Sequence, residues 1–171
     1  MANHLQQYGF SIMCLFAWGL FIHAIPSSFS AQDDRIATPP FQRFVVVLDG
    51  AAVKDVQTSF TWEQSPDFFY GGWTEASAHC QAKTVGGRTG WRLPSITELS
   101  TLIDSSQKDP ALPSGHPFGN VKSSIYWSST PSDTDDIVAW HVSFFTGEAV
   151  TDQKSQTRRA CCMLGESPSP R

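Results

Sequence analysis

Apolar and polar positions change rhythm along this chain, and each rhythm predicts an element. The valine-rich run Arg43–Leu48 reads as a strand, and Asp49-Gly50 turns it back through Val53–Val56 into a first hairpin. Phe60–Trp62 is a short aromatic strand, and Ser65-Pro66 with Gly71-Gly72 marks the loop before a first helix. That helix has Thr74 as its candidate cap, and Ala76 and Cys80, four residues apart, share one face. Pro94 then pushes the preceding residue out of the helical region, so Ser95 opens a second helix with Glu98 completing a capping box. Ile96, Leu99, Leu102 and Ile103 fall on one side of it, which predicts a buried face over Ser95–Asp104. From Lys108 to Gly119 prolines and glycines break every period, predicting a long irregular loop. Tyr126–Thr130 reads as a strand. In the next, Trp140, Val142 and Phe144 alternate with His141 and Ser143, before Thr146-Gly147 turns the chain into Glu148–Val150.

The chain has 171 residues. Met1–Ser30 contains no charged residue, and Phe10–Ile25 is almost wholly apolar. The apolar run is shorter than the roughly 20 residues of a membrane-spanning helix, and Ser28-Phe29-Ser30 offers small residues at the positions a signal peptidase reads. Residues 1–30 are therefore expected to be a signal peptide that carries Cys14 away with it, an uncleaved anchor being the alternative. Residues 31–42 read as a linker, 43–165 as one domain, and the polar, proline-bearing tail 166–171 as disordered. Export places the protein in the periplasm, at the cell surface or outside the cell.

Within the domain, Asp55 and Thr58 lead to Trp62, and Trp73 runs through Ala76 to Cys80. Gly86-Gly87 precedes Trp91-Arg92-Leu93-Pro94, and Tyr126-Trp127-Ser128-Ser129-Thr130 is followed by Ala139-Trp140 with Val142, Phe144 and Gly147. Cys162 and Gly165 close the series. Residues 43–165 in this order resemble the C-terminal domain family of the Legionella collagen-like adhesin, a bacterial extracytoplasmic family catalogued as a domain of unknown function. The resemblance implies an α+β, C-type lectin-like fold, also akin to formylglycine-generating enzymes, with two short helices, a twisted antiparallel sheet and long loops. Fold likeness by itself does not deliver function.

An oxidising compartment lets a disulfide persist among Cys80, Cys161 and Cys162. The family also places a cysteine where Cys162 stands, so the resemblance implies a Cys80–Cys162 bridge. It would close a loop of about 80 residues and add roughly 4 kcal/mol in the chain-entropy model. Adjacent strand residues point to opposite faces, so Cys161 is left over. A buried free thiol, an intermolecular bridge and a thiol activated by Arg158 and Arg159 all stay open for it.

The other chemistry-bearing residues have bland readings beside sharp ones. His79, His116 and His141 sit on different elements without metal-ligand spacing, and no metal site or resident cofactor is expected. Ser128, Ser129 and Thr130 lack a glycine-flanked nucleophile elbow, so their hydroxyls are expected to bond across strands or to a neighbouring loop. Asp133, Asp135 and Asp136 form an acidic loop where lectin-like folds display binding loops; calcium would suit such oxygens, yet the signatures of calcium-dependent sugar-binding lectins are absent. Most of Trp62, Trp73, Trp91, Trp127 and Trp140 read as framework, with Trp73 and Trp127 the candidates for exposure because each adjoins a loop. Arg92 is structural if it meets Glu98 or a carbonyl, and a ligand contact if exposed.

These readings make Trp73, Arg92, Trp127, Asp133, Asp135 and Asp136 the candidate ligand-binding set of a noncatalytic binding or adhesion module. Its partner would be a glycan or a surface protein, and no nucleic acid is expected. The adhesin resemblance suggests sulfated glycosaminoglycans, but the formal charge is −4, so a polyanion requires Arg88, Arg92, Lys154, Arg158 and Arg159 to converge. The alternatives are a copper-dependent thiol oxidoreductase, which needs Cys161 and Cys162 on one site, and a structural envelope protein.

Overall fold

In the computed structural model, residues 42–165 are described. The expected signal peptide, nearly all of the linker and the expected disordered tail lie outside them. The described residues form an α+β domain with two helices and two antiparallel sheets. The first sheet holds β1 (Phe44–Val47), β2 (Ala52–Asp55), β3 (Thr61–Glu63), β4 (Trp91–Arg92) and β8 (Met163–Leu164), in the order β1-β2-β3-β8-β4. The second holds β5 (Ile125–Pro131), β6 (Val138–Ser143) and β7 (Ala149–Gln153), in chain order. The expected sheet is thus two sheets. The stretch before β8 joins them: Arg159 exchanges backbone bonds with Ile125 and Trp127 of β5, and four residues later the chain enters between β3 and β4.

Both helices form where the sequence places them, with different ends. Helix α1 (Trp73–Gln81) is capped by Gly72, and Thr74 already lies inside its first turn. The start moves up because the Glu75 carboxylate accepts from the Gly72 N–H at 2.9 Å and the Trp73 N–H donates to the Lys154 carbonyl at 3.0 Å. Helix α2 (Ile96–Ser100) has the expected Ser95–Glu98 capping box but ends short of Asp104. Beyond Ser100, Leu102 and Ile103 bond back to Leu99 and Ser100, a tighter i to i+3 winding that closes the helix.

The core lies on both faces of the strands. Phe44, Val53, Trp62, Tyr126, Val142, Phe144, Cys161 and Met163 pack with Leu99 of α2 and Leu102 just beyond it in one cluster. Ala52, Trp91, Leu93, Trp127, Ala139 and Cys162 pack with Ala76 and Cys80 of α1 in another. Neighbouring residues therefore serve opposite cores, as a period of two requires. The irregular stretch after α2 completes the first cluster with Leu112 and Phe118, held by the Ala111 N–H on the Phe144 carbonyl at 2.7 Å.

Two-sided burial also changes the expected alternation in β6. Val142 and Phe144 are fully buried and Trp140 only half-buried, while His141 is buried on the opposite face against Trp127, with ring centroids 5.8 Å apart. Burial, with Arg158 nearby, holds the His141 pKa below its ordinary value despite the opposing pull of Asp152.

Candidate functional site

The conspicuous sequence residues divide into a rigid frame and a groove. Cys80 on α1 is bridged to Cys162, with Cα atoms 5.5 Å apart and a sequence separation of 82. Cys161, one residue away, is a buried free thiol in the other core cluster. Burial pushes its pKa well up, so the thiolate that nucleophilic or metal chemistry needs is disfavoured. The two thiols of a copper oxidase therefore do not come together here. Beside them, Glu63 accepts from the Cys162 N–H at 2.8 Å and from Lys83, which also reaches Asp67 at 3.2 Å. Burial raises the Glu63 carboxyl's pKa, and Lys83 offsets part of that rise.

Arg92 belongs to this frame. Its guanidinium forks onto Glu98 at 2.7 and 2.8 Å, and its Nε donates to the Gly165 carbonyl at 2.9 Å. Glu98 also accepts from the Ser95 N–H, so one carboxylate ties strand β4 to the cap of α2. Burial raises the Glu98 pKa, but Arg92 and the Ser95 amide outweigh it and leave the carboxyl below its usual range. Trp127 is fully buried, its indole N–H donating to the Gly71 carbonyl at 3.2 Å. Of the candidate ligand residues, Arg92 thus takes its structural reading and Trp127 lies inside the core instead of at the surface. Ser128 and Thr130 act as expected of their hydroxyls: Ser128 donates across strands to the Trp140 carbonyl at 2.7 Å, and Thr130 accepts from the Ile96 N–H at 2.9 Å.

Trp73 is the candidate tryptophan that stays accessible, and it opens the groove. Its indole N–H is anchored on the Ser128 carbonyl at 2.7 Å, which fixes the ring at the mouth of α1. Gly71 and Arg158 exchange backbone bonds at 2.9 and 3.1 Å and align residues 71–73 with 154–158. A Cβ on Gly71 would come within 2.6 Å of Glu75 and 2.7 Å of the Phe69 ring, so a larger residue there would push those side chains aside. Lys154 reaches across the seam, its ammonium 4.6 Å from the Trp73 ring centroid and 2.7 Å from the Asp136 carbonyl. On one side is a depression of about 380 Å³ bounded by Trp73, Thr74, Glu75, Ser155 and Thr157; on the other is one of about 470 Å³ bounded by Asp136, Ile137 and Gln153. Lys154 and Ser155 line both.

The acidic loop borders the groove through Asp136. Asp133, Asp135 and Asp136 are exposed, and Asp135 accepts from the Ile137 N–H at 2.9 Å, shaping the turn between β5 and β6. Among the described residues no group of three or more His, Cys, Asp or Glu could hold a metal ion. Of the basic side chains a polyanion would need, Arg92 is bound to Glu98, Arg158 pairs with Asp152, and Lys154 is turned onto Trp73. Sequence reasoning missed Glu75, Ile137, Ser155 and Thr157 as groove residues. It also passed over the run Phe68-Phe69-Tyr70 ahead of Gly71-Gly72, where an aromatic cluster in a loop was the available signal.

Residues 51–163 match the model of a family described as the Lcl C-terminal domain. No curated protein and no solved structure matches the chain.

Proposed function

The chain belongs to the Lcl C-terminal domain family, and from that premise we propose that it is an exported, noncatalytic binding or adhesion module of lectin-like form. Its ligand, a glycan or a surface protein, is held in the groove between residues 72–75, 136–137 and 153–157. The observation that carries this reading is the half-buried Trp73 ring lining one of two depressions that share Lys154 and Ser155, while Arg92 and Trp127 are committed to the frame. Loops on a rigid scaffold are where recognition concentrates. A disulfide, together with an apolar leader that ends in small residues, supports export to the periplasm or cell surface.

Ile137 and Ser155 are both exposed and carry little of the fold, so they test the groove cleanly. In binding to intact cells and to an immobilised glycan panel, Ile137→Asp and Ser155→Arg are each expected to weaken attachment about tenfold, the scale of a central contact. Their circular dichroism and melting should match the parent. Unchanged attachment by both variants would move the binding surface elsewhere.

A further inference from the structure

The charges around the groove point to a particular class of partner. Among the described residues Lys154 is the sole cation lining either depression, while Glu75 and Asp136 line them with carboxylates. Asp133 and Asp135 add exposed negative charge on the same loop as Asp136, and Arg158, farther along the 154–158 segment, is paired with Asp152. Lys154 itself is held as a ligand cation would be, with its ammonium over an indole face and on a backbone carbonyl. Its contacts mark a cation subsite that the chain fills with its own side chain. Apolar side chains stand on the flanking segments: Ile137 is 62% exposed, Tyr70 61% and Phe68 72%. Surface that joins large apolar side chains to one sign of charge suits a partner with the opposite charge and apolar anchors.

Resting on the groove reading above, we propose that the groove docks a protein segment in which lysine or arginine side chains alternate with apolar ones, an incoming cation displacing Lys154 from the face of Trp73. A sulfated or carboxylated glycan would instead meet the carboxylates of Glu75, Asp133, Asp135 and Asp136.

The probe is a fluorescein-labelled peptide of alternating lysine and leucine, titrated into the full chain and followed by anisotropy at low and high salt. A heparin-derived oligosaccharide and a neutral oligosaccharide run in parallel. The peptide is expected to bind more weakly in high salt. The combined variant Asp133→Asn, Asp135→Asn, Asp136→Asn should weaken it about tenfold, the sum of three loop charges. Lys154→Gln should tighten it about threefold, because the internal competitor is gone. Heparin binding that Lys154→Gln weakens, or neutral-sugar binding indifferent to both changes, overturns the cationic partner and leaves the groove as the binding surface. Peptide binding unaltered by either change likewise overturns it. If Ser155→Arg also leaves every probe unaffected, the groove reading falls with it.

Discussion

Arg92 and Lys154 are both cations laid against a specific partner, and the difference between their surroundings separates the frame of this protein from its groove. Arg92 is buried, forked onto the Glu98 carboxylate and bonded to the Gly165 carbonyl. Lys154 is half-buried and meets a ring face and a single carbonyl. Removing a partner from the first leaves a charge stranded away from water, whereas removing one from the second leaves a charge that water can solvate. The frame is therefore committed to one arrangement, and the groove can exchange partners at low cost.

The sharpest way to break the frame is through its covalent link. Replacing Cys80 and Cys162 together by alanine frees a loop whose ends are 82 residues apart, and the chain-entropy model puts the loss at about 4.5 kcal/mol. Denaturant midpoints of the oxidised parent and the double variant measure it. A loss under about 1 kcal/mol would mean that the cores hold α1 against β8 without the bridge.

Arg92→Ala comes next, at about 3 kcal/mol, because it abandons the Glu98 carboxylate in a buried position. The double variant Arg92→Met, Glu98→Leu should recover most of that loss, since the penalty lies in the unpaired charge more than in the missing attraction. If the double variant is as unstable as the single one, the pair acts chiefly through the Gly165 and Ser95 contacts.

Acid titration ranks below both and separates two buried glutamates. The Glu98 pKa is depressed in the folded state, so its contribution is fully present above the unfolded value of about 4.3 and is lost as pH falls through the folded one. The Glu63 pKa is raised, so its contribution is present below about 4.3 and is lost as pH rises through the folded value. Glu98→Gln should flatten the acid side of the stability profile, while Glu63→Gln should flatten the rise of the penalty above it. Chemical denaturation between pH 3 and 7, the range bracketing ordinary carboxyls, reads both slopes. Parallel profiles for parent and Glu98→Gln would show that the fork does not distinguish the folded state.

Much of the frame was legible because its signals are local. Pro94, Ser95 and Glu98 specify a helix start within five residues, and the structure forms that capping box. The valine run around Asp49-Gly50 gives the β1–β2 hairpin in the same way. Misreadings arise where distant contacts decide. Lys154 caps the path into α1 from across the fold, so Thr74 is not the cap. Both faces of β6 are covered, so His141 is buried where simple alternation puts it outside. The groove was the least legible part, because residues 72–75, 136–137 and 153–157 meet only after the Gly71–Arg158 bridge aligns them. Trp73 and Trp127 both adjoin loops, and nothing in the sequence says which indole the Gly71 carbonyl will draw inward.

Lys154→Gln is expected to have the smallest effect on stability, which makes it the sharpest test of the contrast with Arg92. A half-exposed ammonium over an indole is worth about 0.5–1 kcal/mol, and a glutamine amide at the same position can still donate to the Asp136 carbonyl. The net loss should therefore stay within about 0.5 kcal/mol, inside the range of ordinary surface changes. Binding and stability would then separate: Arg92→Ala should weaken the fold severalfold more than Lys154→Gln, while Lys154→Gln should alter ligand affinity with the fold intact. Thermal melts of the two variants, set beside the same peptide titration, measure both axes at once. A stability loss for Lys154→Gln near that of Arg92→Ala would place the Trp73–Lys154 contact in the frame, and the seam along residues 154–158 would then be structural support instead of an exchangeable binding surface.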